Sequence, residues 1–249
     1  MKLIGYNYSF DLLNESVLNN FLDEEIFCIE KLWDKACIFK YQYLLDQLNS
    51  CEEDYLVYVE YDACFCNTIK KLEDYIDDEH DIFYSRCNWS WDVNNYLKNI
   101  NKMVQEINEN LNGICNYETC SEIFLNSINS YLTIAHNIFF CNEGFYILKN
   151  SEITKEFLRA IVKYAPIFLN CYSWIPEGMA LQFMMASPKF NSALQVLPPK
   201  TQGHIYGTSN AYDEDECLIC HNSSIEKEKL YNFLTTIINN KYFKNKIVE

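Results

Sequence analysis

The sequence predicts an α/β fold in which a central sheet is covered by helices on both faces. Short apolar runs alternate with segments of helical period along most of the chain. One of these runs, "YLVYVE" at 55–60, is apolar almost throughout, as expected of a strand buried on both faces. Gly (6) and Pro (5) are scarce among 249 residues, which disfavours long linkers in a chain large enough to bury its own core.

In chain order, "KLIGYNYS" (2–9) reads as a first strand. Residues 15–32 read as a helix with Asn14 or Ser16 as its N-cap. The segment 35–50 places Ile38, Tyr41, Leu44, Leu45 and Leu48 on one helical face. The strand 55–60 follows, then a helix over 67–76 and a short strand over 81–85. Residues 92–128, rich in Asn and Glu, read as a helical insertion with a break near Gly113. A strand over 133–140 leads into "CNEGFYILKN" (141–150). Ser151 is placed to cap a helix over 151–169, and Pro176 to open one over 176–187. The last strand is expected at 193–199 and a closing helix at 225–243. No internal repeat is present, and residues 1–249 are expected to form one domain.

The formal charge of −15 would repel a phosphate backbone, so no nucleic-acid partner is expected. A small anionic ligand stays admissible, because a bound divalent cation inverts the local field. The amino terminus has no sustained apolar stretch of the signal-peptide kind, and no run reaches the length of a membrane span. A cytoplasmic location without a transmembrane segment follows as the expectation, and with it reduced thiols for the twelve cysteines.

The strand 55–60 ends in "EYD". Side chains alternate along an extended chain, so Glu60 and Asp62 stand on one side. Adjacent hard oxygen ligands suit Mg²⁺ or Mn²⁺, which commonly completes its shell with waters and substrate phosphates. Two solvated acids opening a loop are an equally good reading of the pair alone. Ligands of open α/β sheets collect at the carboxyl ends of the strands, which favours the cation.

The stretch from Trp33 and Lys35 through "DYLVYVEYDACFCN" resembles the nucleotide-diphospho-sugar glycosyltransferases of the GT-A fold, especially the galactosyl-, mannosyl- and xylosyltransferase group. In that group a Trp-x-Lys-opened helix precedes an apolar strand ending in Asp-x-Asp. Here Glu60 takes the first acidic position and Asp62 the second, with Asn67 at the Asn that often follows. "FFCNEG" resembles the later Asn-x-Gly segment, with Asn142 and Gly144 on the motif. "WIPEGMAL" resembles a Pro-acidic-Gln-x-Ala-Leu segment, with Glu177 at the acid and Gly178 in place of Gln. "KTQGHIYG" resembles a late His-x-x-Gly, with His204 and Gly207 on the motif. Each motif is weak alone; the four arrive in the family's order between residues 33 and 207.

The resemblance implies a mixed, mainly parallel central sheet flanked by helices and a Rossmann-like GT-A architecture. It implies transfer of a sugar from a UDP- or GDP-linked donor to an acceptor hydroxyl on a glycan, a lipid-linked glycan or a protein, with retention weakly favoured. Mn²⁺ or Mg²⁺ would be held by Asp62, His204 and Glu60. Lys35, Gly144 and Gly207 would join the two acids around the donor, and Glu177 and Asn142 would stand at the reacting centre. By position, Lys200, four residues before His204, reads either as a further charge on the diphosphate or as a solvated lysine after two prolines, and Arg86, just past a strand end, either as a donor contact or as an exposed arginine. Glu in place of Asp at 60 adds a methylene of reach, and the region before the motif is shorter than is usual in the family. The alternatives are a metal-dependent nucleotidyltransferase or phosphohydrolase with a paired-carboxylate site, and a binding module with a decayed transferase fold, which those departures suggest.

Several other features have ordinary explanations. His136 sits in an apolar run and reads as core, while His80 in "DDEHD" reads as a surface group. Trp89, Trp91 and Trp174 read mostly as core aromatics. "CLICH" (217–221) matches a haem-attachment pattern, but haem attachment needs an exported chain. A zinc site would require two more ligands, and Cys115 and Cys120 are poorly spaced for that. A chance pairing among twelve cysteines is the expectation.

Overall fold

The computed structural model describes residues 1–7, 23–27, 33–60, 63–65, 72–86, 141–169, 176–198, 202–206, 209–211 and 219–221. Its main sheet has six strands: β1 (Lys2–Asn7), β2 (Glu24–Phe27), β3 (Tyr55–Glu60), β5 (Ile82–Arg86), β6 (Cys141–Lys149) and β7 (Leu194–Val196). Their spatial order is β2-β1-β3-β6-β5-β7. Strands β1, β2 and β3 pair in parallel, as do β5 and β7, and β6 runs antiparallel to both of its neighbours. Five strands therefore point one way and β6 the other. The sheet is mixed and mainly parallel, as expected.

Three helices pack with it: α1 (Trp33–Ser50), α2 (Glu152–Leu169) and α3 (Pro176–Ala186). Helix α1 presents the face read from its spacing. Tyr41, Leu44, Leu45 and Leu48 are buried, and Ile38 packs against them. They join Leu56, Tyr58, Ile82, Tyr84, Tyr146 and Leu148 from alternate positions of the sheet, together with Phe157, Ile161, Leu181 and Met184 of the other two helices. Val57, Val59, Phe83, Phe145 and Ile147, on the opposite face, are also fully buried. Burial on both faces explains why "YLVYVE" shows no polar alternation.

The amino edge of the sheet is closed by one connected set of hydrogen bonds. The Ser151 hydroxyl accepts from the Thr154 amide at 3.3 Å and donates to the Asp81 carboxylate at 2.9 Å. Lys149 lies 3.3 Å from the other Asp81 oxygen, and the Asp81 amide donates to the Ala193 carbonyl at 2.9 Å. The Lys149 ammonium is held above its usual pKa by this hydrogen bond to Asp81 and by the attraction between the two charges. The starts of β5, β7 and α2 and the end of β6 meet in this cluster. The expected cap at Ser151 is thus present and serves a second element as well.

A second, smaller sheet has the order β4-β10-β8-β9, built from β4 (Ala63–Phe65), β8 (Gln202–Tyr206), β9 (Ser209–Ala211) and β10 (Ile219–His221). None of it is anticipated by hydrophobic period, because strands of three to five residues carry too few positions to show one. The expected last strand at 193–199 is β7, which three further strands follow.

Two other expectations need correction. Within the helix read over 15–32 the described part contains strand β2, whose Glu24–Phe27 align with Ile4–Asn7 of β1. A four-residue apolar segment fits either period, and pairing with a strand already in place decides it. Within 67–76 the described part is a short 3-10 turn, Leu72–Tyr75. The strand expected at 133–140, the helices at 92–128 and 225–243, and the proposed caps Asn14 and Ser16 lie outside the described residues. Among the described residues, no helix is long and apolar enough to cross a membrane.

Replacing Ser151 by Ala removes both the helix cap and its link to Asp81. Denaturant unfolding should show a loss of about 1–2 kcal/mol, and a loss below a few tenths would mean that the cluster is not needed to hold the amino edge.

Candidate functional site

Because β6 opposes the other strands, the carboxyl ends of five strands and the amino end of β6 share one edge. That edge brings together Asn7, Glu60, Arg86, Cys141 and Asn142. Register fixes their neighbours: Glu60 pairs with Tyr6, Arg86 with Cys141 and Ser85 with Asn142. Ligands gather at this edge in open α/β sheets, since the loops leaving the strands diverge there.

Glu60 closes β3 and is only 7% exposed. Its Oε1 lies 3.3 Å from the Nζ of Lys40, which is 1% exposed and sits 5.3 Å from the centre of the Tyr41 ring. Each charge alone would pay heavily for leaving water, and together they offset most of that penalty. Glu60 is therefore held in one place by α1 and is not a solvated acid at the mouth of a loop.

A register shift lies beside it. Tyr84 pairs with Tyr146, yet the next residue, Ser85, pairs with Asn142, so Glu143, Gly144 and Phe145 are accommodated as an irregularity in β6. On the other side of β6, Val59 pairs with Phe145, and one more step of that register sets Gly144 opposite Glu60. The Asn-x-Gly segment thus coincides with a bulge at the carboxyl edge, a place where bulges re-aim neighbouring residues. Gly144 is buried there and adds no side chain beside the Glu60 carboxylate. Ser85 is 1% exposed, and its hydroxyl has no hydrogen-bond partner among the described residues. A buried hydroxyl left in that state costs on the order of 1–3 kcal/mol, and it stands where a polar ligand could satisfy it.

The remaining sequence candidates are distributed as follows. Lys35 stands in the first turn of α1, and Glu177 directly follows Pro176 at the start of α3. His204 is the middle residue of β8. Asp62, Lys200 and Gly207 lie outside the described residues. The strand that starts directly after Asp62 is nevertheless tied to His204: Ala63 pairs with His221, and His221 pairs with His204. At about 4.8 Å per strand spacing, Ala63 and His204 are about 10 Å apart in one row. Among the described residues, no group of three or more His, Cys, Asp or Glu could hold a metal ion.

Lys40 and Ser85 escaped the sequence reading. Lys40 had a usable signal: it stands four residues before Leu44 and eight before Leu48, on the stripe that faces the core. A lysine there calls for a buried acid. Ser85 has no comparable signal, because its burial depends on the pairing of β5 with β6.

No family model matches the chain, and no curated protein matches it. Among solved structures, it is similar to the crystal structure of a glycosyltransferase involved in the glycosylation of the major capsid of PBCV-1. The superposition covers 95% of this chain and 100% of that one, with a TM-score of 0.57 and 8% identity. At that identity the likeness establishes the fold: a glycosyltransferase-type, Rossmann-like α/β architecture with a mainly parallel sheet flanked by helices.

Lys40→Met leaves the Glu60 carboxylate buried without its cation. Equilibrium unfolding should show a loss of about 3–5 kcal/mol, with most of it recovered in the double variant Lys40→Met/Glu60→Leu. A single variant as stable as the wild type would show that the pair does not set the position of Glu60.

Proposed function

We propose that this chain is a metal-dependent glycosyltransferase that moves a sugar from a nucleoside diphosphate to an acceptor hydroxyl. The observation that supports it most is the whole-chain likeness to a glycosyltransferase fold, with Glu60 at the sheet edge where such folds bind ligands. The alternative of a nucleotidyltransferase or phosphohydrolase gains nothing from that likeness.

In this reading the donor lies across the carboxyl edge. Asp62 and His204 would hold Mn²⁺ or Mg²⁺, and the strand connection from Ala63 through His221 to His204 is compatible with a shared site. A carboxylate and an imidazole form a donor set that Mn²⁺ accepts readily. The cation would offset the charge that builds on the departing diphosphate. Glu60, fixed by Lys40, would act through a water or on the ribose. Arg86, Lys35 and Lys200 are candidates for further contacts with the diphosphate. Asn142, with Gly144 at the bulge, would face the sugar, and the Ser85 hydroxyl is a ready partner for a donor oxygen. Glu177 would approach the acceptor hydroxyl. Donors linked to UDP or GDP, retention of configuration, a glycan, lipid-linked or protein acceptor, and a cytoplasmic site of action complete the proposal.

A second reading, a nucleotide- or sugar-binding module without turnover, draws on the burial of Glu60 against Lys40, which occupies one of the two motif acids. A screen of nucleotide sugars for diphosphate release in the presence of Mn²⁺ separates the two. Release is expected with one donor. Asp62→Ala should lower it by about 10²–10³-fold, in line with the loss of one electrostatic stabiliser, and Lys200→Ala should weaken it less. Tight binding of a donor without release would favour the module, and nucleotide hydrolysis with no sugar requirement would contradict the transferase reading.

A further inference from the structure

Four buried tyrosines lie together just below the carboxyl edge. Tyr58, Tyr146 and Tyr84 occupy one row across β3, β6 and β5, on the face that α1 covers. All three are buried, and the Tyr58 and Tyr146 rings stack with centroids 5.9 Å apart. The fourth, Tyr41 of α1, is 1% exposed, and its hydroxyl lies 3.3 Å from that of Tyr146. A phenylalanine would fill nearly the same volume without a hydroxyl that must find a partner away from water. These two tyrosines offset that cost by bonding to each other.

The bond stands where β6 leaves its regular ladder. Toward the amino end of β6, Tyr146 is the last residue to pair regularly with β5, and the register shift follows it. Pairing with β3 ends one residue further on, at Val59 and Phe145. Glu143 and Gly144 lie between that limit and Asn142, where pairing with β5 resumes, so regular pairing does not fix them. Helix α1 supplies a constraint there through consecutive residues: Lys40 grips the end of β3 through Glu60, and Tyr41 grips β6 through Tyr146. One residue along an α-helix is a step of about 1.5 Å and 100°, so the two grips are locked to each other. They meet neighbouring strands about 4.8 Å apart.

We propose that Tyr41 is a positioning residue of the donor site, acting through Tyr146 on segment 142–144. The proposal rests on the transferase reading above, in which that segment faces the donor sugar while the cation and the diphosphate are held elsewhere along the edge. The Tyr41 hydroxyl holds Tyr146 at the point where β6 departs from the ladder, and so sets how far the segment stands from the Glu60 carboxylate. Removing that one hydroxyl leaves the core volume nearly unchanged and loosens the sugar side of the site alone. A nucleoside diphosphate without its sugar binds as before, because its contacts do not pass through Tyr146.

Isothermal titration of the full chain with Mn²⁺ present tests this, with UDP-galactose, UDP-xylose and GDP-mannose as donors and UDP and GDP as sugar-free controls. Tyr41→Phe should weaken the donor that the wild-type chain binds by about three- to tenfold, the range of one net hydrogen bond, and leave the matching diphosphate within about twofold. Tyr146→Phe should do the same. The double variant Tyr41→Phe/Tyr146→Phe should lose no more than either single one, since all three lack the same bond. A tyrosine that merely supports the fold would move both kinds of ligand alike, and thermal unfolding of each variant shows that it is folded. Equal weakening of donor and diphosphate, no weakening of the donor, additive losses in the double variant, or a wild-type chain that binds UDP or GDP but none of the three donors would each overturn the proposal. A wild-type chain that binds neither UDP nor GDP would overturn the transferase reading itself, and this proposal with it.

Discussion

A lysine and a glutamate lie almost entirely out of contact with water where α1 packs against the end of β3, with Nζ and Oε1 3.3 Å apart. Neither charge is tolerable there alone. Their pairing demands that α1 present Lys40 at the level of the last residue of β3, so it fixes the position of the helix against the sheet. It also fixes the point at which the acidic motif leaves the sheet. The face of the Tyr41 ring beside Nζ gives the ammonium a further favourable contact. The geometry of the carboxyl edge starts from this pair.

The two edges of the main sheet are built on different principles. At the amino edge Asp81, Ser151 and Lys149 bond to one another and Asn150 donates to the backbone carbonyls of Cys51 and Asp54, with bonds of 2.7–3.3 Å, while the buried Asn150 Oδ1 has no partner among the described residues. At the carboxyl edge regular pairing breaks down: β6 shifts register around Gly144, and Ser85 keeps an unanswered buried hydroxyl. The shift in register lies at the edge where ligands of open α/β sheets collect.

Where a segment is long and periodic, the sequence was legible. Residues 33–50 and 152–169 form the helices that their spacing and the Ser151 cap imply, and 55–60 forms the doubly buried strand. Short segments were not legible. Glu24–Phe27 fits a helix as well as a strand until β1 is there to pair with it, and β4, β8, β9 and β10 are too short to show a period. Among the candidates, Glu60, Asn142 and Gly144 were singled out by motif and Arg86 by its place past a strand end, and all four lie along the carboxyl edge of the sheet, because a motif reports the order of strand ends and the sheet converts that order into proximity. Lys40 was within reach of pattern reasoning, as a charge on an apolar stripe. Ser85 was not, since only pairing between strands far apart in sequence buries it.

Isothermal titration of the chain with UDP and with GDP, each with and without Mn²⁺, bears most directly on whether the carboxyl edge is a cation-assisted nucleotide site. One nucleotide should bind with one-to-one stoichiometry when Mn²⁺ is present and at least tenfold more weakly when it is absent. Binding of neither nucleotide under either condition would contradict the account.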